Sequence, residues 1–449
     1  MNANQKADRP PLLARVLKTT AKIEPNETRA VLLSFGFSFI LMTAYYILRP
    51  IRDSLSSNWT DAELSTLWTA TFFFSAIAVS IYGFACTRVR VQRLVPAVYV
   101  FFAASFVAFF LANRALPDPD WANRVFYVWI SVFSMLNMSV FWTFMADIYS
   151  KEQAPRLFGF IAAGSSIGAI AGPTIAVSLV DAAGRENLML LSAVLLLVPI
   201  ALIAWLLHWR AASEDPGSPR AAVQTQTIGG NPFAGFSMFI RNPYLLSIGL
   251  FIFLYTTISS FVYFELKNLM EGVDQNARVQ IWAGMDLAVN VLAIATAMFG
   301  TSRIATRLGL SFTLACVPVL IVLGMAVVAM APMLWVVVGL QIVRRAGNYA
   351  ITRPGREMLF TAVDREARFK AKSVIDVVVY RGGDMVSGWA FTGLTQGLGL
   401  GLGAVAAIGA GIAAIWAAVG AYLGRVYKRQ SGEPAAASSA GHTTAEQTI

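Results

Sequence analysis

Long runs of apolar residues, separated by short polar stretches, dominate the chain. A helix needs about 20 mostly apolar residues to cross a bilayer, and this criterion predicts twelve spans. They run near 29–50, 64–86, 94–113, 122–148, 156–180, 188–208, 244–268, 277–300, 311–331, 333–351, 371–396 and 400–424. The pattern therefore predicts an all-α integral membrane protein with twelve transmembrane helices.

One polar stretch divides the twelve spans into two sets of six. Residues 209–243 are rich in Gly, Pro, Ser and Gln and are too polar to span a membrane, which is typical of a connector. The predicted parts are a cytoplasmic tail (1–28), a six-helix bundle (29–208), a cytoplasmic linker (209–243), a second six-helix bundle (244–424) and a disordered cytoplasmic tail (425–449).

The two sets of spans resemble each other in sequence. The pattern LLS-x-G occurs at 32–36 and again at 245–249, and this register pairs Arg52 with Glu265. A Thr-Arg pair follows the second span of each set, at 87–88 and 306–307, where the major facilitator superfamily carries its basic loops. Two matching halves are what alternating access requires, because they rock around a site between them.

Composition and charge support a membrane location. Hydrophobic residues make up 57% of the chain and charged residues 13%, far from the soluble norm of about 25% charged. Most of the 35 Lys and Arg residues fall in loops on one side, which by the positive-inside rule is cytoplasmic together with both termini. The net charge of +10 then reports topology rather than nucleic-acid binding. A bacterial cytoplasmic membrane is the expected location.

The scarcity of Cys and His argues against several chemistries. Cys86 and Cys316 lie in separate apolar segments, and His208 and His442 are the two histidines. Neither a disulfide framework nor a zinc site is indicated, and no nucleophile with a matching base is evident. We expect no metal, no cofactor and no enzymatic activity.

The segment at 45–55, YYILRPIRDSL, ends the first span with three charged side chains, Arg49, Arg52 and Asp53. Pro50 is expected to break or kink the helix there. The three charges then either line a central cavity or lie at the membrane interface. Tyr45 and Tyr46 stack on a planar ligand in the first case and form an interfacial belt in the second.

Later spans carry further charges. Arg344 and Arg345 are predicted at the inner end of the tenth span, where they either anchor it, as Arg353 and Arg356 beyond it would, or bind substrate. Asp286 is predicted to be a proton or cation relay in the eighth span, or a partner for an arginine.

The eleventh span contains Asp376, Arg381 and Asp384. The spacing of Arg381 and Asp384 predicts a pair on one helical face, with either a structural or a substrate-binding role. Arginines at such deep positions outnumber acids. Because the planar guanidinium suits phosphate and carboxylate, the sequence predicts an organic anion as substrate.

Three segments carry a specific resemblance. YYILRPIRDSL, the stretch FWTFMADIYSKEQAPRLFGFIAAGSSIGAIAG (141–172) and the stretch RPGREMLFTAVDREARFKAKSVIDVVVYRGGD (353–384) resemble the ATP/ADP exchange carriers of plastids and intracellular bacteria. These nucleotide carriers are distant relatives of the major facilitator superfamily, and the similarity runs over about residues 28–400. It implies twelve helices, cytoplasmic ends, and exchange of a nucleotide for another nucleotide or for phosphate.

The resemblance assigns roles only where residues match. Arg52 and Arg356 stand where the family has functional lysines, and Asp376 and Arg381 match the family's IDVV segment and its arginine. Two departures change the expected site. Ile130 and Phe261 stand where the family has acidic residues, although Glu265 lies one turn from Phe261. The expected cavity is therefore more positive than in the family.

The leading hypothesis is a monomeric carrier for a small anionic, phosphorylated solute in the lipid bilayer, working by alternating access. It assigns substrate binding to Arg49, Arg52, Asp53, Arg344, Arg345, Arg356 and Arg381, and coupling or ion pairing to Asp286, Asp376, Asp384 and Glu265. One alternative is a proton-coupled symporter or efflux carrier for a non-nucleotide compound, in which Asp286 or Asp384 titrates. Another is a non-transporting membrane scaffold or sensor.

Overall fold

The computed structural model describes residues 23–24, 26–150, 153–213, 234–299, 301–363 and 374–431, and the regular structure within them is helical. Most of the predicted tails and linker lies outside these ranges. The last part of the predicted linker is an exception, because it contains the short helix α7, Ala234–Arg241. Residues 209–213 of the linker and 425–431 of the tail are also described, and they are helical, so disorder is wrong for 425–431.

Helices follow one another through both halves of the described chain. The first group is α1 (Thr28–Leu55), α2 (Asp61–Arg88), α3 (Val91–Ala115), α4 (Asp120–Ile148), α5 (Ala154–Leu195) and α6 (Val198–Ser213). The second group is α7, α8 (Pro243–Leu269), α9 (Gln275–Phe299), α10 (Thr301–Met330), α11 (Leu334–Gly347), α12 (Arg353–Leu359), α13 (Tyr380–Thr392) and α14 (Leu402–Ser431). Short π-helical turns occupy Asn348–Thr352, Ile375–Val379 and Gly393–Gly397.

Within the described residues, nine helical segments are long and apolar enough to cross a membrane. One of them, Arg156–Trp209, is 54 residues long and contains the predicted fifth and sixth spans together. The predicted tenth and eleventh spans are missing from the nine because π turns interrupt their helices. The other eight segments match predicted spans, so the all-α membrane fold is confirmed, and the division into two six-helix bundles stays a prediction.

Of the two effects predicted for Pro50, a break or a kink of the first helix, the break is wrong, and the kink stays a prediction. Helix α1 continues through Pro50 to Leu55, and a 3-10 turn follows at Ser56–Asn58. Proline removes one backbone hydrogen bond, but Ile47 and Ile51 beside it are fully buried. Tertiary packing of this kind holds a helix together against a local penalty, and the charges of this segment therefore project from one continuous helix.

The helical run that contains the predicted tenth span is longer than that span. The helical run does not stop at 351 but passes from α11 through the first π turn into α12. Arg344 lies ten residues after Leu334, about 15 Å along the axis, and the hydrocarbon core is about 30 Å thick. Arg344 and Arg345 are thus near the middle of their helical run rather than at its inner end.

Glycines bring α5 into close contact with α1. At Gly164 and Gly168 an added Cβ would overlap the carbonyl oxygens of Phe35 and Phe39, and at Gly172 it would come within 2.6 Å of the Tyr46 Cβ. Small residues at such spacing let two membrane helices approach through their backbones. The stripe places the part of α1 from Phe35 to Tyr46, which precedes its charged residues, against α5.

A second glycine stripe joins α14 to α10. A Cβ on Gly403 would lie 2.8 Å from the Ala329 carbonyl oxygen, and one on Gly420 would lie 2.8 Å from that of Leu314. At Gly424 it would overlap Ser311. Glycines thus let α14 and α10 approach closely through their backbones, as they do for α5 and α1.

The chain divides into two compact units. Unit 1 comprises Met1–Leu55, Phe73–Gln224 and Asp274–Leu287, and unit 2 comprises Ser56–Phe72, Thr225–Val273 and Ala288–Ile449. In unit 1, α1 packs on α4, α5 and α6, and in unit 2, α8 packs on α11, α13 and α14. The start of α2 therefore belongs with the unit of α8, and the first part of α9 belongs with the unit of α1.

Candidate functional site

The first charge cluster lies in unit 1 and consists of Arg49, Arg52, Asp53 and Asp286. Asp53 is shared by both arginines: its oxygens lie 2.9 Å from Arg52 Nε and 3.6 Å from Arg49 Nε. Arg49 Nη1 lies 3.6 Å from Asp286 Oδ1 on α9. Both carboxylates are 1% exposed. Two guanidinium groups thus face two buried carboxylates, and the described cluster is close to neutral.

Tyrosines and a serine complete the surroundings of these arginines. Arg52 donates to Ser131 Oγ at 3.2 Å and lies 5.4 Å from the centre of the Tyr127 ring. Arg49 lies 5.7 Å from the ring centre of Tyr46, which is itself buried. These are cation–π distances. The interfacial interpretation of this segment fits poorly with such enclosed side chains, since snorkelling arginines expose their head groups.

The second charge cluster lies in unit 2 and consists of Arg344, Arg381 and Asp384, and Arg345 follows Arg344 in the sequence. Arg344 is 3% exposed and donates to Gln341 Oε1 at 2.8 Å and to the Tyr255 hydroxyl at 3.4 Å. Arg345 is 4% exposed. The charges of Arg381 and Arg344 both act on the Asp384 carboxylate. Two guanidinium groups, those of Arg344 and Arg381, therefore act on one carboxylate among the described side chains of this cluster.

The expected close pair of Arg381 and Asp384 is not formed. No ion pair within 4.0 Å joins them in the part of the chain that the structure describes, although they share a helical face. Gly383 between them lies against Thr256 of α8, so the helix axis is held close to α8 at this point. Asp376 lies in the π turn Ile375–Val379, and its side chain is outside the described residues.

Aromatic rings surround the second cluster. The Tyr255 ring centre lies 6.1 Å from that of Tyr380 and 5.7 Å from that of Trp416. Trp416 is fully buried on α14 and also contacts Phe251. These contacts hold Tyr255, and through it Arg344, in one place between α8, α11, α13 and α14.

The remaining arginines of this helical run differ from Arg344. Arg353 is exposed, which fits the anchoring interpretation. Arg356 is partly buried and pairs with the neighbouring Glu357 at 2.9 Å. Burial of Arg344 and Arg345 does not fit anchoring, because an anchoring arginine extends its charge to the head groups. The arginines predicted together at the inner membrane surface thus fall into two groups.

The third charge cluster, in unit 2, contains two residues that the sequence interpretation missed. Lys267 Nζ lies 2.9 Å from Asp61 Oδ1 and donates to the Trp59 carbonyl oxygen at 2.6 Å. Asp61 also accepts from Thr395 Oγ1 at 2.7 Å. Glu265, the third member, is fully buried. Lys267 carried one signal, because a lysine at the predicted non-cytoplasmic end of a span runs against the positive-inside rule.

The resemblance aligns two residues of this chain, Ile130 and Phe261, with acids of the nucleotide carriers, and both are apolar and buried. Ile130 is fully buried and Phe261 is 1% exposed. The residue after Ile130 is Ser131, whose hydroxyl accepts from Arg52. A neutral hydroxyl thus contacts an arginine one residue away from where the nucleotide carriers have an acid.

Among the described residues no group of three or more His, Cys, Asp and Glu side chains is arranged to hold a metal ion.

Comparison with known proteins identifies a family-level match. The model of the Major Facilitator Superfamily matches residues 30–355, well over half of the chain. No curated protein is a significant sequence match.

Several solved structures share the fold at low sequence identity. The transporter PepTSo of the POT family has a TM-score of 0.62 at 14% identity, over 90% of this chain and 99% of its own. The nucleoside transporter NupG has a TM-score of 0.58 at 15% identity, over 89% and 99%. A bacterial homolog of the human lysosomal transporter Spinster, in an inward-facing and unoccupied conformation, has a TM-score of 0.57 at 14% identity, over 91% and 99%.

Proposed function

Since this chain belongs to the Major Facilitator Superfamily and is a secondary membrane transporter, we propose that its substrate is an organic anion. One observation carries the proposal: Arg344 is buried in mid-helix, and the described guanidinium groups of the second charge cluster outnumber its carboxylate. An unbalanced buried charge is costly. A bound anion offsets that cost, and affinity for the anion follows from it.

The geometry of Arg344 supports binding of an anion rather than a purely structural role. Its Nη2 and Nε both donate to the neutral Gln341 amide oxygen, and its Nη1 is at 3.4 Å from the neutral Tyr255 hydroxyl. The hydrogen-bonding partners that fix Arg344 are thus uncharged, and the guanidinium keeps its full positive charge. The first charge cluster differs, because Asp53 and Asp286 balance its two arginines.

A phosphorylated metabolite is the proposed anion, with exchange of nucleotides or phosphate as the proposed mode. Support comes from arginine chemistry, since guanidinium groups bind phosphate through paired donors, and from the resemblance of residues 353–384 to nucleotide exchange carriers. Ile130 and Phe261 stand where the resemblance places acidic residues of the nucleotide carriers. Both side chains are apolar and buried, so these two positions do not repel an anion. Arg356 and Arg381, which match family positions, are proposed contacts together with Arg344 and Arg345.

The proposed setting is a bacterial cytoplasmic membrane, with both termini cytoplasmic and a monomeric protein. Two six-helix bundles, at 29–208 and 244–424, are proposed to rock about the bound anion. The coupling of binding to movement then comes from a difference in affinity between two access states.

The test uses two linked measurements on purified protein. Thermal unfolding is followed in the presence of ATP, ADP, inorganic phosphate, a dicarboxylate and a quaternary ammonium cation, because a ligand that binds the folded state raises its stability. Uptake of the stabilising anions is then measured in proteoliposomes. We expect stabilisation by phosphorylated anions that weakens with salt, and uptake that is at least about tenfold lower for Arg344→Ala, a loss of about 1.4 kcal/mol.

Arg353→Ala is the matched control, since Arg353 lies in the same helical run, has the same charge and is exposed. It should transport at the rate of the parent. Stabilisation by the cation alone, or equal uptake by Arg344→Ala and the parent, would refute the anion proposal.

A further inference from the structure

Glu265 is a buried acid that the proposed anion site does not use. Its side chain is fully buried in α8, and neither carboxylate oxygen has a hydrogen-bond partner within the described residues. Phe261 and Phe264, on the same part of the helix, contact Phe391 through their rings. A charged carboxylate in apolar surroundings without a hydrogen bond is very costly. In this arrangement the group is neutral, so it carries a proton.

The charged groups nearest to Glu265 are those of the third cluster. Asp61 is the ionisable residue whose charge acts on it, and Asp61 is paired with Lys267, two residues beyond Glu265 on α8. The charges that α11 and α13 bring to α8 are farther away. Arg344 bonds to Tyr255, ten residues before Glu265 and about 15 Å along the axis. Arg381 and Asp384 flank Gly383, which lies against Thr256.

The start of α2 is held against the end of α8 and of α13 by several bonds. Besides the Asp61–Lys267 ion pair, Ser65 bonds to Thr392 at 2.8 Å, and Trp389 donates to Thr69 at 3.0 Å. A capping box places Asp61 at this contact, because Thr60 and Glu63 bond to each other's backbone N–H groups at the start of α2. We call this set of contacts the α2–α8 clasp.

We propose that Glu265 binds a proton while the α2–α8 clasp is closed and releases it when the clasp opens, so that transport is coupled to proton movement. In the proposed two-bundle arrangement α2 and α8 belong to different bundles, and alternating access has to separate them on one side of the membrane. On opening, Asp61 leaves with α2. The proton passes from the Glu265 carboxyl to water, and Lys267, without its former partner, favours the carboxylate that remains.

The direction of coupling follows from charge alone. In the closed clasp the Asp61 carboxylate disfavours a second negative charge nearby, and Lys267 is already neutralised. In the open clasp the negative neighbour is gone and an uncompensated cation is present. The closed state thus holds the proton more tightly, and by linkage an acidic solution favours the closed state.

The experiment measures clasp closure directly and needs no substrate, so its outcome is independent of the anion proposal. Spin labels are attached to cysteines placed at Thr66 and Leu398, both exposed, in full-length protein with Cys86→Ser and Cys316→Ser. Distances between the labels are measured by pulsed electron paramagnetic resonance in liposomes from about pH 8.5 to about pH 5.5. The population with the short distance should grow as the pH falls.

Four variants test whether Glu265 is the group that binds the proton and whether Asp61 holds the clasp closed. Glu265→Gln should keep the short-distance population high at every pH, and Glu265→Asp, which still titrates, should restore the pH dependence with a shifted midpoint. Asp61→Asn should reduce the short-distance population at every pH. Glu63→Gln is the control, because glutamine preserves the capping box, and it should respond to pH like the parent.

Two results would overturn the proposal. One is a pH response in Glu265→Gln equal to that of the parent. The other is a distance distribution that Asp61→Asn leaves unchanged.

Discussion

The guanidinium of Arg49 lies 3.6 Å from the carboxylate of Asp286, so an ion pair joins α1 to α9. The two residues come from distant parts of the sequence, and Asp286 is 1% exposed. Each partner offsets the charge of the other, and this lowers the free-energy cost of burying two charged side chains within apolar spans. A hydrogen bond from Gln275 to Ser54, at 2.9 Å, holds the same two helices together nearby.

Removal of Arg49 should destabilise the fold more than removal of Asp286. Arg49→Ala removes the guanidinium that lies 3.6 Å from both Asp286 and Asp53, two buried carboxylates, and loss of such a charge costs about 3 kcal/mol. Asp286→Asn leaves Arg49 with Asp53, so its effect should be smaller. Chemical unfolding of the purified variants in detergent measures both. Arg124→Ala, which breaks a pair with Asp120 that is far more exposed than the Arg49–Asp286 pair, is the control and should cost less than about 1 kcal/mol. Equal losses in all three variants would contradict the role of burial.

The glycine stripe of α5 should tolerate no side chain. Gly168→Ala places a methyl group on the Phe39 carbonyl oxygen, and such overpacking costs about 1–3 kcal/mol. Gly159→Ala on the same helix is the matched control, because nothing lies within 4 Å of its Cβ. It should be neutral or slightly stabilising, since alanine is the better helix former. Thermal unfolding of the two variants tests the difference, and a similar loss in both would refute close packing as the cause.

The sequence predicts this helix packing only in part. Hydropathy gave the positions of α1 and α5, because a spanning helix has to be apolar along its length. The pattern did not show that α1 continues through Pro50, since that depends on the fully buried neighbours Ile47 and Ile51. A proline in sequence carries its local cost but not the tertiary contacts that offset it.

Acid should weaken the contact between the start of α1 and the start of α5. Glu27 accepts from Gln153 at 2.8 Å and pairs with Arg156 at 3.0 Å. Burial alone opposes the charged form, but the hydrogen bonds and the Arg156 charge outweigh it and lower the pKa of Glu27 below its ordinary value. The folded state therefore favours the carboxylate. Its contribution is complete above the ordinary pKa and is lost as the pH falls through the lowered one.

Unfolding temperatures between about pH 6 and about pH 3 measure this contribution. Glu27→Gln should lose about 1.5 kcal/mol at the upper end of this range, the lower limit for a hydrogen bond to a charged group, and should approach the parent at the lower end. Glu24→Gln, at an exposed position, should follow the parent throughout. A constant difference between Glu27→Gln and the parent at all pH values would exclude titration of Glu27.

Neutralising Asp384 should strengthen anion binding. The Arg344 and Arg381 charges both act on this carboxylate, so it competes with a bound anion for them. Asp384→Asn should lower the apparent Kd for the stabilising anion several-fold, which corresponds to about 1 kcal/mol. The thermal shift as a function of anion concentration measures it. Asp181→Asn, whose carboxylate bonds to Gln280 at an exposed position, removes the same charge elsewhere and should have no effect. Weaker binding by Asp384→Asn would contradict the arrangement.

The candidate site is a case where residue types were predictable and their pairing was not. A charge in an apolar span is visible in sequence, and Arg344, Asp286 and Arg49 stood out for that reason. Asp61 and Lys267 did not, because each lies at the end of a span, where an interfacial position needs no partner. Their ion pair depends on how the start of α2 packs on the end of α8, and the spacing of residues along the sequence does not predict that contact.

The three π-helical turns have a consequence for how the buried arginines move. A π turn holds one more residue than an α turn, and it can migrate along a helix as hydrogen bonds exchange one at a time. When the turn at Asn348–Thr352 shifts across a residue, that residue rotates by about 100° and advances by about 1.5 Å. Arg344 and Arg345 lie in the last turn of α11, and two residues lie between Arg345 and the start of this π turn. A stepwise screw motion thus gives their helix a way to reorient side chains while its ends stay fixed.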